Sequence, residues 1–493
     1  VTIANHTVEK IGGTSMSKVH ELRDSLLIGN TENPYGRVFV VSAFGGITNL
    51  LLEHKKSGQP GVYALFSNDD NAHGWLDALS DVAGAMREAH GAVLDHPADI
   101  HAADEFVRER IEGARSCLFD LQRLCSYGHF RLSDHMMDIR ELLSGLGESH
   151  SAFVTVLMLQ RAGVNARLVD LSGWRDESEL TLEQRIKAGF DQVDFETELP
   201  IVTGYAQCTE GLMREFDRGY SEVTFANIAA ITGAREAIIH KEFHLSSADP
   251  NLVGAENVRK LGHTNYDVAD QLSNLGMEAI HPKAAKILRK AGISLRVANA
   301  FEPQDPGTLI DEAEAEAATV DIVTGLGVVA LEVFEQDMVG VKGYDQKILE
   351  VLARHKVRIV SKASNANTIT HYLDAPLKTI RRVERDLLEA FPNASVKINR
   401  LGLVSAIGRS LEGLDVTERG LTALRAGEVK CLAVQHLPGS VDVQFLVSQE
   451  AEDRAIKLLH DAFVSPASAG GEAHSEKAAE SKKKETARAL QAA

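Results

Sequence analysis

The sequence predicts an α/β protein with a largely parallel central sheet, followed by two small α+β modules. Three observations carry this reading. Strand-like and helix-like segments alternate through roughly the first 300 residues. Two of those strands run into small-residue turns that open helices, "VEKIGGTSMSK" and "VVSAFGGITNLL". Beyond them, a strand–loop–helix–strand–turn–strand–helix order recurs at a spacing of about 70 residues, the mark of an internal duplication.

In chain order, strands are expected at residues 8–10, 38–42, 167–171, 201–205, 237–241 and 294–297, with helices such as 226–232 and 265–275 between them. Ligands of such a sheet sit at the carboxyl ends of its strands. An insertion from about residue 53 to 140, rich in Ala, His, Asp, Glu and Leu, reads as a helical excursion. Its histidines, His129 and His135 among them, lack metal-ligand spacing. A Pro-Gly turn and the acidic, alanine-rich stretch 311–318 mark a linker. The duplicated modules follow. From Ser465 onward apolar periodicity is lost and disorder is expected. The division is 1–312, linker 313–327, modules 328–393 and 394–464, and tail 465–493.

Composition narrows the function. The 493 residues exceed one ordinary core. A net charge of −18, with no Lys/Arg-rich block in the folded part, argues against a nucleic-acid partner. The four cysteines are scattered with no C-x-x-C pair, which fits a reducing compartment and neither a disulfide framework nor a zinc site. No 18-residue apolar run and no signal-peptide pattern is present, so a cytoplasmic protein without membrane contact is expected.

The first turn, Lys10-Ile11-Gly12-Gly13-Thr14-Ser15, has the chemistry of a phosphate site: bare glycine amides, hydroxyls and one lysine. It lacks Walker spacing, and alone it is a tight strand-to-helix turn as readily as a site. Four further stretches change the balance: "VVSAFGGITNLL", "GLGESHSAF" with Glu148 placed at a helix start, "PIVTGYAQCTEG", and "FDRGYSEVTFANIAA" with Arg218, Ser221 and Glu222. Singly, Ser221-Glu222 reads as a helix N-cap with an acidic first turn, Glu148 as a helix-dipole acid, and Arg218 as a surface residue.

In their order these motifs resemble the aspartokinase family, which has an amino-acid kinase fold with C-terminal ACT modules, across residues 8–463. The family's K-F-G-G-T-S is matched at Lys10–Ser15, its V-V-S-A…T-x-x-L at Val40–Ala43 with Thr48 and Leu51, and its G-E at Gly147-Glu148. R-G-G-S-D becomes Arg218-Gly219-Tyr220-Ser221-Glu222, D-P is Asp249-Pro250, and H-P is His281-Pro282. N-x-x-x-P…G-T is matched by Asn299, Pro303, Gly307 and Thr308. The wording "HTVEKIGGTSMS" with "IIHKEFHLSSADPNLVGA" resembles the branch associated with ectoine synthesis.

The resemblance implies transfer of the ATP γ-phosphoryl to the β-carboxylate of L-aspartate. Lys10, Gly12 and Gly13 would cradle phosphates, with Ser42, Ala43 and Gly45 as opposing amide donors. Arg218 would clamp the α-carboxylate; Glu148, helped by Ser221 and with Glu222 beside it, would take the ammonium. Thr14, Ser15 and Thr48 would orient the reacting end. Lys10 and Arg218 are the expected catalytic residues. The positions aligned with the family's nucleotide side are His240, Lys241, Ser246, Asn251 and Glu278, and they depart from its W-T-D-V-D-G, arginine and lysine. Lys241 and Glu278 have opposite sign and could pair. Mg²⁺ would arrive with ATP. An effector would contact Asp337, Met338 and Gly340 with Ser364, Asn365 and Asn367, and a homodimer would form through the ACT modules. The rival readings are a non-catalytic amino-acid sensor and a kinase for another acidic acceptor such as glutamate.

Overall fold

The computed structural model describes residues 5–29, 33–55, 57–68, 74–216, 219–277, 279–313 and 317–464. Arg218, Glu278 and the tail from Ser465 lie outside the described residues. The chain divides into two compact units, Val1–Leu245 with Ala279–Glu312, and Ser246–Glu278 with Ala313–Ala493.

The first unit is built on strands rich in β-branched residues: β1 (Thr7–Ile11), β2 (Arg37–Val41), β3 (Ala166–Val169), β4 (Leu199–Thr203) and β5 (Glu236–Lys241). They run in the order β3-β4-β2-β1-β5, followed by Ser294–Asn299, and all of these pair in parallel. Thr308–Asp311, not expected from the sequence, adds an antiparallel strand. β1 is fully buried between β2 and β5, the position that explains its unbroken burial. Between residues 53 and 140 the described residues form helices Val62–Ser67, Gly74–Gly91 and Pro97–Cys125 and the start of Leu132–Arg161.

Helix Leu132–Arg161 bears on two expectations. It is long and apolar enough to cross a membrane, yet 83% of its most apolar window is buried inside the protein, so it is a core helix. It also runs unbroken through "GLGESHSAF", placing Glu148 mid-helix and not at a start. The glycines there serve close packing: a Cβ on Gly145 would lie 3.0 Å from the Tyr205 ring, and one on Gly147 2.8 Å from Ala43 Cβ. Each glycine costs the helix about 1 kcal/mol against alanine, which packing offsets. The segment after β1 differs in the other direction. The first glycine turn is expected to open a helix; the chain instead forms three short helical segments, Gly13–Met16, Val19–Leu22 and Arg23–Leu27.

The second unit holds a six-stranded sheet in the order Arg358–Ser364, Thr368–Asp374, Thr319–Phe334, Ser395–Arg409, Asp442–Ser448, Ala433–His436, with every pairing antiparallel. Helices Tyr344–Arg354 and Leu377–Ala390 cover one core, and Val416–Ala426 and Glu452–Phe463 the other. The duplication is therefore real, but the segment 313–327 is not wholly linker. Thr319–Phe334 is a single strand that serves both cores, Val320 and Val323 in one and Val329, Leu331 and Val333 in the other. Its middle glycines, Gly325 and Gly327, let Glu452 approach the sheet.

Candidate active site

Lys10 projects from the end of β1 and is buried. Its Nζ lies 3.5 Å from Glu222, in the first turn of helix Tyr220–Thr232. Lys241, at the end of β5, reaches the same carboxylate oxygen at 3.7 Å. The other Glu222 oxygen accepts the His281 amide at 2.6 Å. Burial pushes the Glu222 carboxyl up, but Lys10 and Lys241 outweigh it and hold it below the ordinary range. Lys241 thus has a carboxylate partner within the described residues, Glu222.

Glu148 is buried beside this group. One oxygen accepts the Ser221 hydroxyl at 2.7 Å. The other, Oε2, has no hydrogen-bond partner among the described residues and lies over Gly204, 3.0 Å from where a Cβ would stand. Burial pushes the Glu148 carboxyl up to about 8, against the downward pull of Ser221, Lys10 and the nearby Tyr205 and Ala43 amides. Ser221 is therefore not the helix cap. The cap position belongs to Gly219, at φ +89°, where a Cβ would meet the His281 ring at 2.8 Å.

The two glycine turns face each other at the carboxyl ends of β1 and β2. A Cβ on Gly13 would stand 2.9 Å from the Ala43 carbonyl oxygen. Gly12 caps the turn with open space around it. Two of the expected opposing donors are already engaged: the Ser42 amide donates to Ile11 O at 3.2 Å, and the Gly45 amide to Ser17 Oγ at 2.8 Å. Thr14 is exposed at the loop and Thr48 is half-buried in helix Ile47–Leu51. Ser15 has a partner the sequence did not suggest: its hydroxyl donates to Glu242 at 2.7 Å.

His240 also departs from its expected nucleotide role. In parallel register Lys10 pairs with Ile239 and Ile11 with His240, so His240 shares the sheet face of Glu9, opposite Lys10. There its Nε2 lies 2.7 Å from Glu9, which Arg37 also grips at 2.7 and 2.9 Å. Burial raises the Glu9 carboxyl, but Arg37 and His240 together hold it well below the usual range. Ser246 and Asn251 belong to the second unit. Ser246 donates to Ala248 O, and Asn251 to Asp249, the N-cap of helix Pro250–Val253. Within the described residues, neither side chain shows a role beyond its own turn.

Among the described residues, one group of His and acidic side chains has ligand atoms close enough for an ion: His244, Glu302 and Asp305. The two carboxylates lie at opposite ring nitrogens of His244, 3.0 and 3.8 Å away. In the second unit, Asp337 and Met338 lie in and Gly340 just after the short turn Gln336–Met338, and Asn365 and Asn367 form the turn after Ser364. The Glu335 amide donates to Asn367 O at 3.0 Å, so the structure brings these two segments together.

A largely parallel sheet with a lysine on its first strand, facing glycine turns and two buried acids at the strand ends defines a small-molecule kinase. Residues 5–299 match the model of the amino acid kinase family. Over 469 residues the chain is 50% identical to aspartate kinase Ask_Ect of Stutzerimonas stutzeri (strain A1501), covering 94% of this chain and 98% of that protein. It is 24% identical over 488 residues to chloroplastic aspartokinase 2 of Arabidopsis thaliana, covering 92% and 84%. E. coli aspartokinase III, solved in complex with lysine and aspartate, shares the fold at a TM-score of 0.68 and 19% identity, covering 94% of this chain and 100% of that one. The chain belongs to the amino acid kinase family and, within it, to the aspartokinases.

Proposed function

We propose that the Lys10–Glu148–Glu222 group is where the ATP γ-phosphoryl passes to the β-carboxylate of L-aspartate, giving 4-phospho-L-aspartate for aspartate-family or ectoine synthesis. The observation that carries this is Glu148, a buried acid with one oxygen held by Ser221 and the other without a hydrogen-bond partner among the described residues. A substrate ammonium is the donor such an oxygen lacks. Arg218 would then clamp the α-carboxylate. The nucleophile is already ionised at pH 7, so no general base is required. Catalysis is positioning plus neutralisation of charge spread over the transferring group. Lys10, buried near the end of β1, supplies that charge, and the open Gly12 turn admits phosphate oxygens.

The fit for Mg²⁺ is poor as the acids stand. Both Glu222 oxygens are engaged by Lys10, Lys241 and His281, and Glu148 favours its proton. Mg²⁺ would travel on the nucleotide phosphates. The nucleotide base is left to groups other than His240, which faces Glu9. The ACT modules would house an amino-acid effector at the paired 335–340 and 364–367 segments, and join two copies in a cytoplasmic homodimer. Trapping acyl phosphate with hydroxylamine, with aspartate and glutamate compared, tests the reaction. Hydroxamate from glutamate alone would reassign the acceptor, and none from either would favour the sensor.

A further inference from the structure

Helix Leu132–Arg161 presents a second acid two turns before Glu148. Glu141 is half-buried on the wall of a cleft of about 870 Å³. Its two oxygens serve two different donors. Oε2 accepts the Tyr205 hydroxyl at 2.6 Å, and Oε1 accepts the Met213 amide at 2.6 Å. One turn earlier, Asp138 binds Arg214 at 2.9 Å. Asp138, Glu141, Gly145 and Glu148 follow helical spacing and lie along one stripe of the helix.

That stripe fastens both sides of the segment leading from β4 to helix Tyr220–Thr232. Tyr205 follows Gly204, over which Glu148 Oε2 lies, and its ring meets the edge of the Tyr220 ring at 5.8 Å between centroids. Tyr220 precedes Ser221, the donor to Glu148. Met213 sits in the turn Leu212–Glu215 on the path to that helix. Glycine is required at two of the contacts. A Cβ on Gly211 (φ +73°) would lie 3.1 Å from Glu141 Oε1, and one on Gly145 3.0 Å from the Tyr205 ring.

We propose that Glu141 is a positioning residue for the acceptor end of the site: it holds residues 204–213 so that Gly204, Ser221 and Glu148 keep their spacing. The inference rests on reading that end as the aspartate pocket. A carboxylate suits the task because it can accept from two donors at once. Glutamine keeps one acceptor for Met213 and turns its amide N–H₂ donor toward the phenol, whereas leucine leaves both donors bare.

The test compares the full-length wild type with Glu141→Leu, Glu141→Gln and Tyr205→Phe. It reads KM for aspartate and for ATP separately, with amide hydrogen exchange over residues 209–216. Glu141→Leu should raise KM for aspartate about tenfold or more and leave KM for ATP within about twofold, with Gln intermediate. Exchange over 209–216 should speed up in the same order. Equal shifts in both KM values, or unchanged exchange, would overturn the proposal. If Glu141→Leu does not fold, Tyr205→Phe must show the same KM split. If the wild type phosphorylates no aspartate, faster exchange still sustains the positioning role while the pocket reading falls.

Discussion

Glu148 ties aspartate binding to pH. Burial places its carboxyl at about 8 in the free protein. If the ammonium of aspartate binds only the carboxylate form, the binding-competent fraction is about one in eleven at pH 7 and about one in a hundred at pH 6. The penalty at pH 7 is about 1.4 kcal/mol and grows by as much again per pH unit below it. KM for aspartate should therefore fall about tenfold from pH 6 to 7, about fivefold more to pH 8, and then level. Binding at pH 7 should release about 0.9 proton, measurable by calorimetry in two buffers of different ionisation enthalpy. Glu148→Gln should bind weakly at every pH and lose the dependence. Ser221→Ala removes a donor to the carboxylate, so the break should move to higher pH. A KM flat from pH 6 to 8 with no proton release would refute both the burial argument and the role of Glu148.

The same shift affects stability. Between the unfolded value near 4.5 and about 8 the folded protein holds a proton that the unfolded chain gives up, so stability falls as pH rises through that window. Glu148→Gln should accordingly raise Tm at pH 8.5 more than at pH 5.5, as thermal scans would show. Lys10→Ala should lower kcat roughly 10²–10³-fold with an unchanged circular dichroism spectrum, by analogy with oxyanion donors; a loss below about tenfold would remove Lys10 from the chemistry. Gly204→Ala should raise KM for aspartate, because the new Cβ would sit 2.8 Å from Ser221 Cβ, 2.9 Å from Val41 O and 3.0 Å from Glu148 Oε2; unaltered kinetics would show that the contact relaxes freely. Lys241→Asp places a like charge against Glu222 and should impair turnover, while Lys241→Met should be milder; equal effects would mean the 3.7 Å pair carries no weight.

The sequence by itself determined the alternating α/β order, the duplicated module and the set of residues at the strand ends. These are local or periodic properties: runs of Val and Ile, glycine pairs, and hydroxyls beside a lysine, each legible within a dozen residues. It also determined the family, because many weak motifs in one order are jointly specific. What only the tertiary structure decided is which partner each polar group meets. Glu148 sits mid-helix because Gly145 and Gly147 answer to Tyr205 and Ala43, contacts far off in the chain that outweigh local helix propensity. Residues 319–327 are strand, not linker, because their partners in Ser395–Arg409 come some 80 positions later. Ser15 meets Glu242 across 227 positions of chain, and His240 meets Glu9 through pairing register. In a strand the side chains alternate faces, so a one-residue difference in register decides whether a residue joins Lys10 or turns its back on it. Lys241, level with Ile239 and Lys10 in parity, joins; His240, level with Ile11, does not.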